Sequence, residues 1–377
     1  MSDLPDLSHV LPPLYARWMA ELLKGPIPDE SRSTCGDCAV LKKPGIKVTH
    51  ERVGETPTFE ERPFHPLIKC CTHLPQIPNY LVGSALSDPE LAPIGRESLE
   101  RRIASRLAVT PFGLWHVEAG HLDYRRRIMA GFGQDMNLRC PHFNEKELNC
   151  GIWKHRNGTC SGYFCRPVRG IPGATFWMSG WRPLSRTFER ALSQWAAREV
   201  GLPESCLLAL YDFRRSPENV AWSDVCDDDG KPDAAAYAAG WGPWAGQEVD
   251  FYRACSQKVA ALSWAQVEEI CGEPVKSLVA VTVAAYRAMW PKDPPKRLKV
   301  NWGGFYWVAG KDGGPDRYVG YDQLDFVELP RALGVVLMLF KDGVETAAAL
   351  ERAAAQGAPL LPDVLEELIT HRILVEC

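Results

Sequence analysis

Cysteines are concentrated in the first half of the chain, and this concentration constrains its fold more than any other feature. Eight of the 13 cysteines lie between Cys35 and Cys165. They form two sets of four, namely Cys35, Cys38, Cys70 and Cys71, then Cys140, Cys150, Cys160 and Cys165. Tetrahedral zinc and cubane iron–sulfur clusters each take four thiolates, so this order predicts metal binding by all eight residues.

The spacing of the first set carries two inferences. The two residues between Cys35 and Cys38 let both thiols of one turn face a single metal. Cys70 and Cys71 are adjacent, and neighbouring side chains of an extended backbone point to opposite faces. We therefore expect this pair either to serve two metal sites or to leave one thiol outside a single cluster.

Charge favours an iron–sulfur cluster, most simply 4Fe–4S, over zinc. A cluster held by four thiolates is anionic and needs nearby cations when it is partly buried. Residues 151–170 contain no acid and four basic residues, Lys154, Arg156, Arg166 and Arg169. The alternatives are an ordinary solvated basic face and a zinc site. Four histidines flank the cysteines and are either ligands or solvated side chains, namely His65, His73, His142 and His155.

Composition narrows the class of protein. The 43 basic and 47 acidic residues give a net charge of -4, which predicts no nucleic-acid and no membrane partner. The sequence opens with acids and has neither an export signal nor a long apolar run, so we expect a cytoplasmic protein without a disulfide framework. The other cysteines lie alone in the sequence, namely Cys206, Cys226, Cys255, Cys271 and Cys377. Those within or beside helical runs, Cys206, Cys255 and Cys271, read as small buried apolar residues.

Periodicity predicts a helix-rich α+β fold in three parts. Residues 1–170 read as a loop-rich cysteine-cluster domain with amphipathic helices over 13–24 and 97–108. Residues 171–295 are helical, and ten tryptophans between Trp177 and Trp307 read as core and interface anchors. Residues 296–377 combine a strand hairpin, two helices and a last strand, which predicts a small winged-helix-like module.

The cysteine motifs resemble a known family, the zinc- or iron-chelating cysteine-cluster (CxxCxxCC) proteins. The matching segments are Cys140-Pro141, Cys150-Gly151-Ile152-Trp153, Cys160 and Tyr163-Phe164-Cys165. The resemblance implies that the eight cysteines bind the metal. One departure is the 31-residue interval between Cys38 and Cys70, where the family has only a few residues. The family includes flagellin lysine N-methylase-like proteins, which implies an enzyme.

A second resemblance concerns residues 325–377, which are similar to the winged-helix peptide-recognition domains of peptide-modifying maturases. It implies a protein or peptide substrate. Two functions follow as expectations. The first is a cluster-bearing enzyme that modifies such a substrate by methyl-transfer or redox chemistry, although the radical-SAM spacing and a complete dinucleotide fingerprint are both absent. The alternative is a non-catalytic scaffold that zinc or a cluster holds together.

Overall fold

The protein is described from a computed structural model covering residues 10–27, 29–33, 35–49, 58–73, 75–210, 219–220, 234–290 and 293–377. Cys226 lies outside these described residues. Helices predominate, and short strands pair in small, mostly antiparallel sheets. The predicted mixed α+β class is confirmed.

The α-helices of the described ranges are α1 Pro13–Leu23, α2 Ala39–Lys42, α3 Asn79–Ser87, α4 Pro93–Ser105, α5 Glu118–Gly131, α6 Gly158–Ser161, α7 Gly170–Ala174, α8 Arg182–Glu199, α9 Glu204–Leu210, α10 Ala234–Trp241, α11 Glu248–Ala260, α12 Trp264–Cys271, α13 Glu273–Met289, α14 Arg331–Gly334, α15 Thr346–Ala355 and α16 Pro362–Thr370. A π-helical turn, Thr175–Trp181, joins α7 to α8. The helices α1 and α4 confirm the two helices predicted in the first part.

The strands of the described ranges are β1 Gly45–Thr49, β2 Thr58–Arg62, β3 Ile77–Pro78, β4 Val109–Thr110, β5 Gly113–Leu114, β6 His116–Val117, β7 Phe143–Asn144, β8 Asn149–Cys150, β9 Asn219–Val220, β10 Arg297–Val300, β11 Tyr306–Val308, β12 Asp316–Val319, β13 Val327–Leu329, β14 Val344–Glu345 and β15 Leu374–Glu376. Among the strands described, all pairs are antiparallel except β6 with β9. The pairs β1–β2 and β7–β8 are hairpins that lie next to cysteine-bearing segments.

Helix α1 illustrates how the pattern specifies an element. Pro13 stands in its first turn, where a backbone N–H has no helical partner to lose. Tyr15, Trp18 and Met19 share one face and are buried. The helix ends where Lys24 adopts a left-handed conformation, with φ of 50°. Apolar spacing and end signals agree here, which is why the sequence predicted the helix.

Helix α3 corrects the expectation that the first part is mostly loop. Seven of its nine residues are buried, including the polar Asn79. Such a helix has no polar face, so it lacks the three-and-four periodicity that marks an amphipathic helix. It packs against α11 so closely that a Cβ added to Gly83 would lie 1.8 Å from the backbone oxygen of Tyr252.

Aromatic side chains fill the core around α8. Trp177, Trp181 and Trp241 are fully buried, which confirms the prediction of core anchors for these three. Trp302 and Trp307 instead expose 54% and 55% of their surface. Trp302 and Trp307 are therefore not core residues, and a role for them as interface anchors stays a prediction.

The C-terminal part has its own apolar core and two three-stranded sheets, ordered β14-β10-β15 and β11-β12-β13. The predicted hairpin is present as β11 and β12. Strand β10 is not part of it, because β10 pairs with the last strand β15. The helices α15 and α16 precede that last strand as predicted. The assignment to a winged helix stays a prediction.

Buried polar contacts join the C-terminal part to the cysteine-bearing segments. Arg32 forms an ion pair with the fully buried Asp325 at 3.1 Å, and His371 Nε2 lies 3.4 Å from the same carboxylate. Arg166 Nε donates to the carbonyl oxygen of Leu324 at 2.6 Å. These bonds fix the C-terminal part beside the residues that precede Cys35 and follow Cys165.

No helix within the described ranges combines the length and the apolar character needed to cross a membrane. The domain limits predicted at residues 170 and 295 stay predictions. The largest hydrophobic core contains residues from both sides of the first limit, including Trp18 and Trp181.

Candidate metal centre

Four separate segments carry the eight predicted ligands. Cys35 and Cys38 lie immediately before α2, and the adjacent pair lies in the turns over 66–72. Cys150 ends the β7–β8 hairpin, and Cys140 precedes that hairpin. Cys160 is within α6, and Cys165 follows it. Cys140 is buried, the other seven are partly buried, and all eight are free thiols.

Backbone contacts bring these segments together. The N–H of Cys140 donates to the carbonyl oxygen of Cys71 at 2.8 Å. The ammonium of Lys69 donates to the carbonyl oxygen of Cys35 at 2.6 Å and to that of Leu148 at 2.5 Å. Lys69 is itself buried, and its ammonium group therefore needs protein acceptors, which these two carbonyl oxygens supply. Lys69 thus links the loop that carries Cys35 and the hairpin that carries Cys150 to the turn that carries Cys70 and Cys71.

Cys70 is the centre of the arrangement. Its thiol interacts electrostatically with the thiols of the other seven residues, Cys35, Cys38, Cys71, Cys140, Cys150, Cys160 and Cys165. The structure therefore brings all eight predicted residues into one region. Within the described residues, no group of three or more cysteine, histidine or acidic side chains has the geometry to hold a metal ion.

The adjacent pair departs from the expected geometry. Cys70 and Cys71 lie in a turn rather than in extended backbone, because Lys69 before them has a φ of 50°. Their thiols are hydrogen-bonded to one another. The premise that the two side chains point to opposite faces is therefore wrong, and both thiols face the same region.

The environment favours the protonated form of four of the thiols, those of Cys35, Cys70, Cys150 and Cys165. Burial raises the pKa of the Cys35 and Cys165 thiols to about 12 and that of Cys150 to about 11. The hydrogen bond with Cys71, followed by burial, raises the pKa of Cys70 well above its usual range. A metal centre bound here would reverse these shifts, since a coordinating thiol is deprotonated by the cation.

Arg156 is one of the buried cations beside the thiols. It interacts electrostatically with four of the thiols, those of Cys35, Cys70, Cys150 and Cys160. Its guanidinium lies 3.4 Å from the ring centroid of Trp153 and donates to the carbonyl oxygen of Val10 at 2.8 Å. Because packing fixes it in place, Arg156 is suited to balance the charge of an anionic centre.

The other three predicted cations divide into two kinds. Arg166 is buried and interacts electrostatically with the Cys165 thiol. Lys154 and Arg169 lie farther out and form partly exposed ion pairs with Glu90 and Glu366. Of the four basic residues between 151 and 170, Arg156 and Arg166 therefore belong to the candidate centre.

The flanking histidines bond to residues other than cysteine. His142 Nδ1 lies 2.7 Å from Ser98 Oγ, and burial lowers the pKa of its imidazole to about 4. His155 Nε2 lies 2.9 Å from a carboxylate oxygen of Asp88. These contacts favour structural roles for both. His73 Nδ1 lies 3.2 Å from a tyrosine hydroxyl, and His65 Nδ1 accepts from a backbone N–H in its own turn.

A buried carboxylate that no sequence motif indicates borders the thiols. Glu189 of α8 accepts hydrogen bonds on Oε1 from the Tyr15 hydroxyl at 2.6 Å and from the N–H of Gly158 at 2.5 Å. The Tyr15 hydroxyl also lies 3.0 Å from that of Tyr80. Burial raises the pKa of Glu189 to about 7. Its contacts span 174 residues of sequence, so no local motif marks it.

The raised pKa of Glu189 predicts a pH-dependent stability. Its value rises from 4.5 to about 7 on folding, so the folded state holds a proton that the unfolded state releases in this interval. Glu189→Gln retains an acceptor oxygen and does not titrate. We expect the variant to gain about 3 kcal/mol relative to wild type between about pH 4.5 and about pH 8, measured by urea unfolding.

The matched control is Glu269→Gln, an exposed residue of α12. Its stability difference from wild type should stay constant over the same pH interval. If the stability difference between Glu189→Gln and wild type were also constant with pH, it would contradict the raised pKa of Glu189 in the folded protein.

No family model matches this chain, and no curated protein or solved structure is significantly similar to it. The resemblance to the cysteine-cluster family therefore stays a prediction. We infer the function from the contacts of the eight cysteines themselves.

Proposed function

We propose that this chain is an iron–sulfur protein in which the eight cysteines hold the metal centre, with a 4Fe–4S cluster as the preferred group and zinc as the alternative. The observation that supports this best is the convergence of seven thiols on Cys70 from four segments. Eight thiols around one position exceed the four ligands of a tetrahedral zinc ion. A polynuclear cluster, or two neighbouring centres, makes better use of them.

The charges beside the thiols fit an anionic centre. Lys69, Arg156 and Arg166 are buried cations, and each interacts with a cysteine of the set through a hydrogen bond or electrostatically. Their positive charge lies beside the thiols, where it would stabilise an anionic cluster. A cluster bound by thiolates would offset this charge, and when bound it would supply one-electron redox chemistry.

An enzyme remains the broader proposal, with protein or peptide modification by methyl-transfer or redox chemistry as the reaction class. Its support is the number of thiols in one region, eight, which is twice what a single closed four-ligand centre uses. A structural scaffold needs only closed coordination by four ligands. The free thiols of the described cysteines also suit a reducing compartment such as the cytoplasm.

Anaerobic purification with metal and sulfide analysis tests the proposal. We expect about four iron and about four sulfide per chain, with broad sulfide-to-iron absorption in the visible range. Cys377→Ser, which alters an exposed cysteine far along the chain, is the control and should leave iron content unchanged. Stoichiometric zinc in a colourless protein would establish the alternative metal. A chain that retains neither metal would contradict the proposal.

A further inference from the structure

The last of the eight cysteines in sequence lies beside the first two. The thiol of Cys165 is 3.7 Å from the hydroxyl of Ser33. That hydroxyl accepts from the N–H of Arg166 at 3.0 Å and donates to the carbonyl oxygen of Arg166 at 2.9 Å. The guanidinium of Arg166 also donates to the carbonyl oxygen of Lys43. Ser33 precedes the first two cysteines and Lys43 follows them, so Cys165 is held against their segment from both sides.

The interactions between thiols agree with these contacts. Among the thiols, Cys70 has the strongest electrostatic effect on Cys35 and on Cys165. Cys38 has the next strongest effect on both. Cys38 also interacts with Cys70 itself. We call these four residues the loop set, namely Cys35, Cys38, Cys70 and Cys165.

The β7–β8 hairpin assembles three of the remaining cysteines. The N–H of Cys140, which precedes the hairpin, donates to the carbonyl oxygen of Cys71 at 2.8 Å. The N–H of Phe143 donates to the carbonyl oxygen of Cys140 at 3.1 Å, and Phe143 pairs with Cys150 in the sheet. Backbone bonds therefore place Cys71, Cys140 and Cys150 side by side.

Arg156 adds the fourth cysteine to this group. It donates to the carbonyl oxygen of Cys160 at 3.3 Å and to that of Trp153, three residues after Cys150, at 3.1 Å. Among the thiols, Cys150 has the strongest electrostatic effect on each of the other three. We call these four residues the hairpin set, namely Cys71, Cys140, Cys150 and Cys160.

We propose that the eight thiols form two separate four-ligand sets, the loop set and the hairpin set, so that the chain binds one zinc ion beside the iron–sulfur cluster. The inference rests on the proposed function, because it divides the same cysteines. Four thiolates complete a tetrahedral zinc site and also hold a cubane cluster. Each set closes around its metal on binding, since no group within the described residues already has metal-holding geometry.

The division differs from the order of the cysteines in the sequence. The adjacent pair contributes one thiol to each set, and Cys165 belongs with Cys35 rather than with Cys160. Because the thiols of Cys70 and Cys71 are hydrogen-bonded within one turn, a change at either residue affects both sets. The test therefore uses cysteines outside this turn.

Metal counts on the full-length protein test the inference. The anaerobically purified chain should contain about one zinc in addition to about four iron. After removal of metal by a chelator, the chain is titrated with cobalt(II), whose visible spectrum reports tetrahedral thiolate coordination. We expect about two cobalt ions per wild-type chain, one for each set.

Double variants distinguish the spatial sets from the sequence order. Cys35→Ser with Cys165→Ser removes two ligands of the loop set and should leave about one cobalt site. Cys35→Ser with Cys160→Ser removes one ligand from each set and should leave no complete site. The matched control is Cys271→Ser with Cys377→Ser, which lies outside both sets and should keep both sites. Circular dichroism verifies that each variant is folded.

Wild-type protein provides a second measurement that does not depend on the folding of variants. The chain is loaded with one equivalent of zinc and treated with N-ethylmaleimide, and molecules that carry a single zinc ion are sequenced by top-down mass spectrometry. Cys35 and Cys165 should be protected in the same molecules, and Cys160 should be modified in them. Protection of Cys165 together with Cys160 instead would overturn the inference.

A wild-type chain with a single cobalt site, or loss of both sites in the Cys35/Cys165 double variant, would likewise overturn the inference. Cobalt binding requires neither iron nor sulfide. Two cobalt sites in a chain that purifies without iron would support the division and contradict the cluster. Four iron with a single cobalt site would support the cluster and contradict the division, so the two proposals fail separately.

Discussion

Cys70→Ser is expected to abolish metal binding, whereas loss of a peripheral cysteine should only weaken it. The thiol of Cys70 interacts with the other seven thiols of the set and is hydrogen-bonded to that of Cys71. Serine is nearly the same size, so packing is preserved while the soft anionic ligand is lost. We expect iron or zinc to fall to the background level in the purified variant, together with loss of any visible absorption.

The control for Cys70→Ser is Cys255→Ser, because Cys255 is a fully buried cysteine in the helical core. It should keep its metal content even if it is somewhat less stable. A Cys70→Ser protein that holds as much metal as wild type would show that the centre of the site lies elsewhere among the eight cysteines.

Gly83→Ala is expected to destabilise the protein by about 3 kcal/mol, although alanine is the better helix former. The added Cβ would lie 1.8 Å from the oxygen and 2.3 Å from the carbon of the Tyr252 carbonyl group. Both atoms are backbone, so α3 and α11 must move apart rather than a side chain turn aside. Overpacking of this kind outweighs the gain of about 1 kcal/mol in helix propensity.

Urea denaturation monitored by far-UV circular dichroism measures this change in the free energy of unfolding. Gly303→Ala is the matched control, because a Cβ at Gly303 meets no atom within 4 Å. Its stability should stay within about 0.5 kcal/mol of wild type. Equal stability of Gly83→Ala and wild type would contradict the close packing of α3 against α11.

Sequence reasoning succeeded where the determinants are local. Apolar spacing and a proline in the first turn specify α1, and a Gly-rich turn between alternating apolar residues specifies the β11–β12 hairpin. The fourfold grouping of cysteines likewise marked residues that the fold brings into one region. In these cases the information lies within a few residues or in the chemistry of one residue type.

The features that the sequence did not predict depend on contacts between residues that are distant in sequence. Strand β10 pairs with β15, which lies more than 70 residues later, so no local pattern assigns its partner. The hydrogen bond between Tyr15 and Glu189 is equally remote. The geometry of Cys70 and Cys71 depends on the left-handed backbone of Lys69, a conformation that a lysine rarely adopts and that its sequence does not signal.

The bonds from Arg32 to Asp325 and from Arg166 to Leu324 determine where the chain can be shortened. A protein ending before residue 296 would lose the acceptors Asp325 and Leu324 and would keep only the side-chain bonds from Arg32 to the carbonyl oxygen of Pro167 and from Arg166 to that of Lys43. Both arginines flank cysteines of the set, since Arg166 directly follows Cys165 and Arg32 precedes Cys35 by three residues. Removal of the residues from β10 onwards would therefore leave two cysteine-bearing segments less firmly held. The last eighty residues thus help to stabilise the position of cysteines in the first half of the chain.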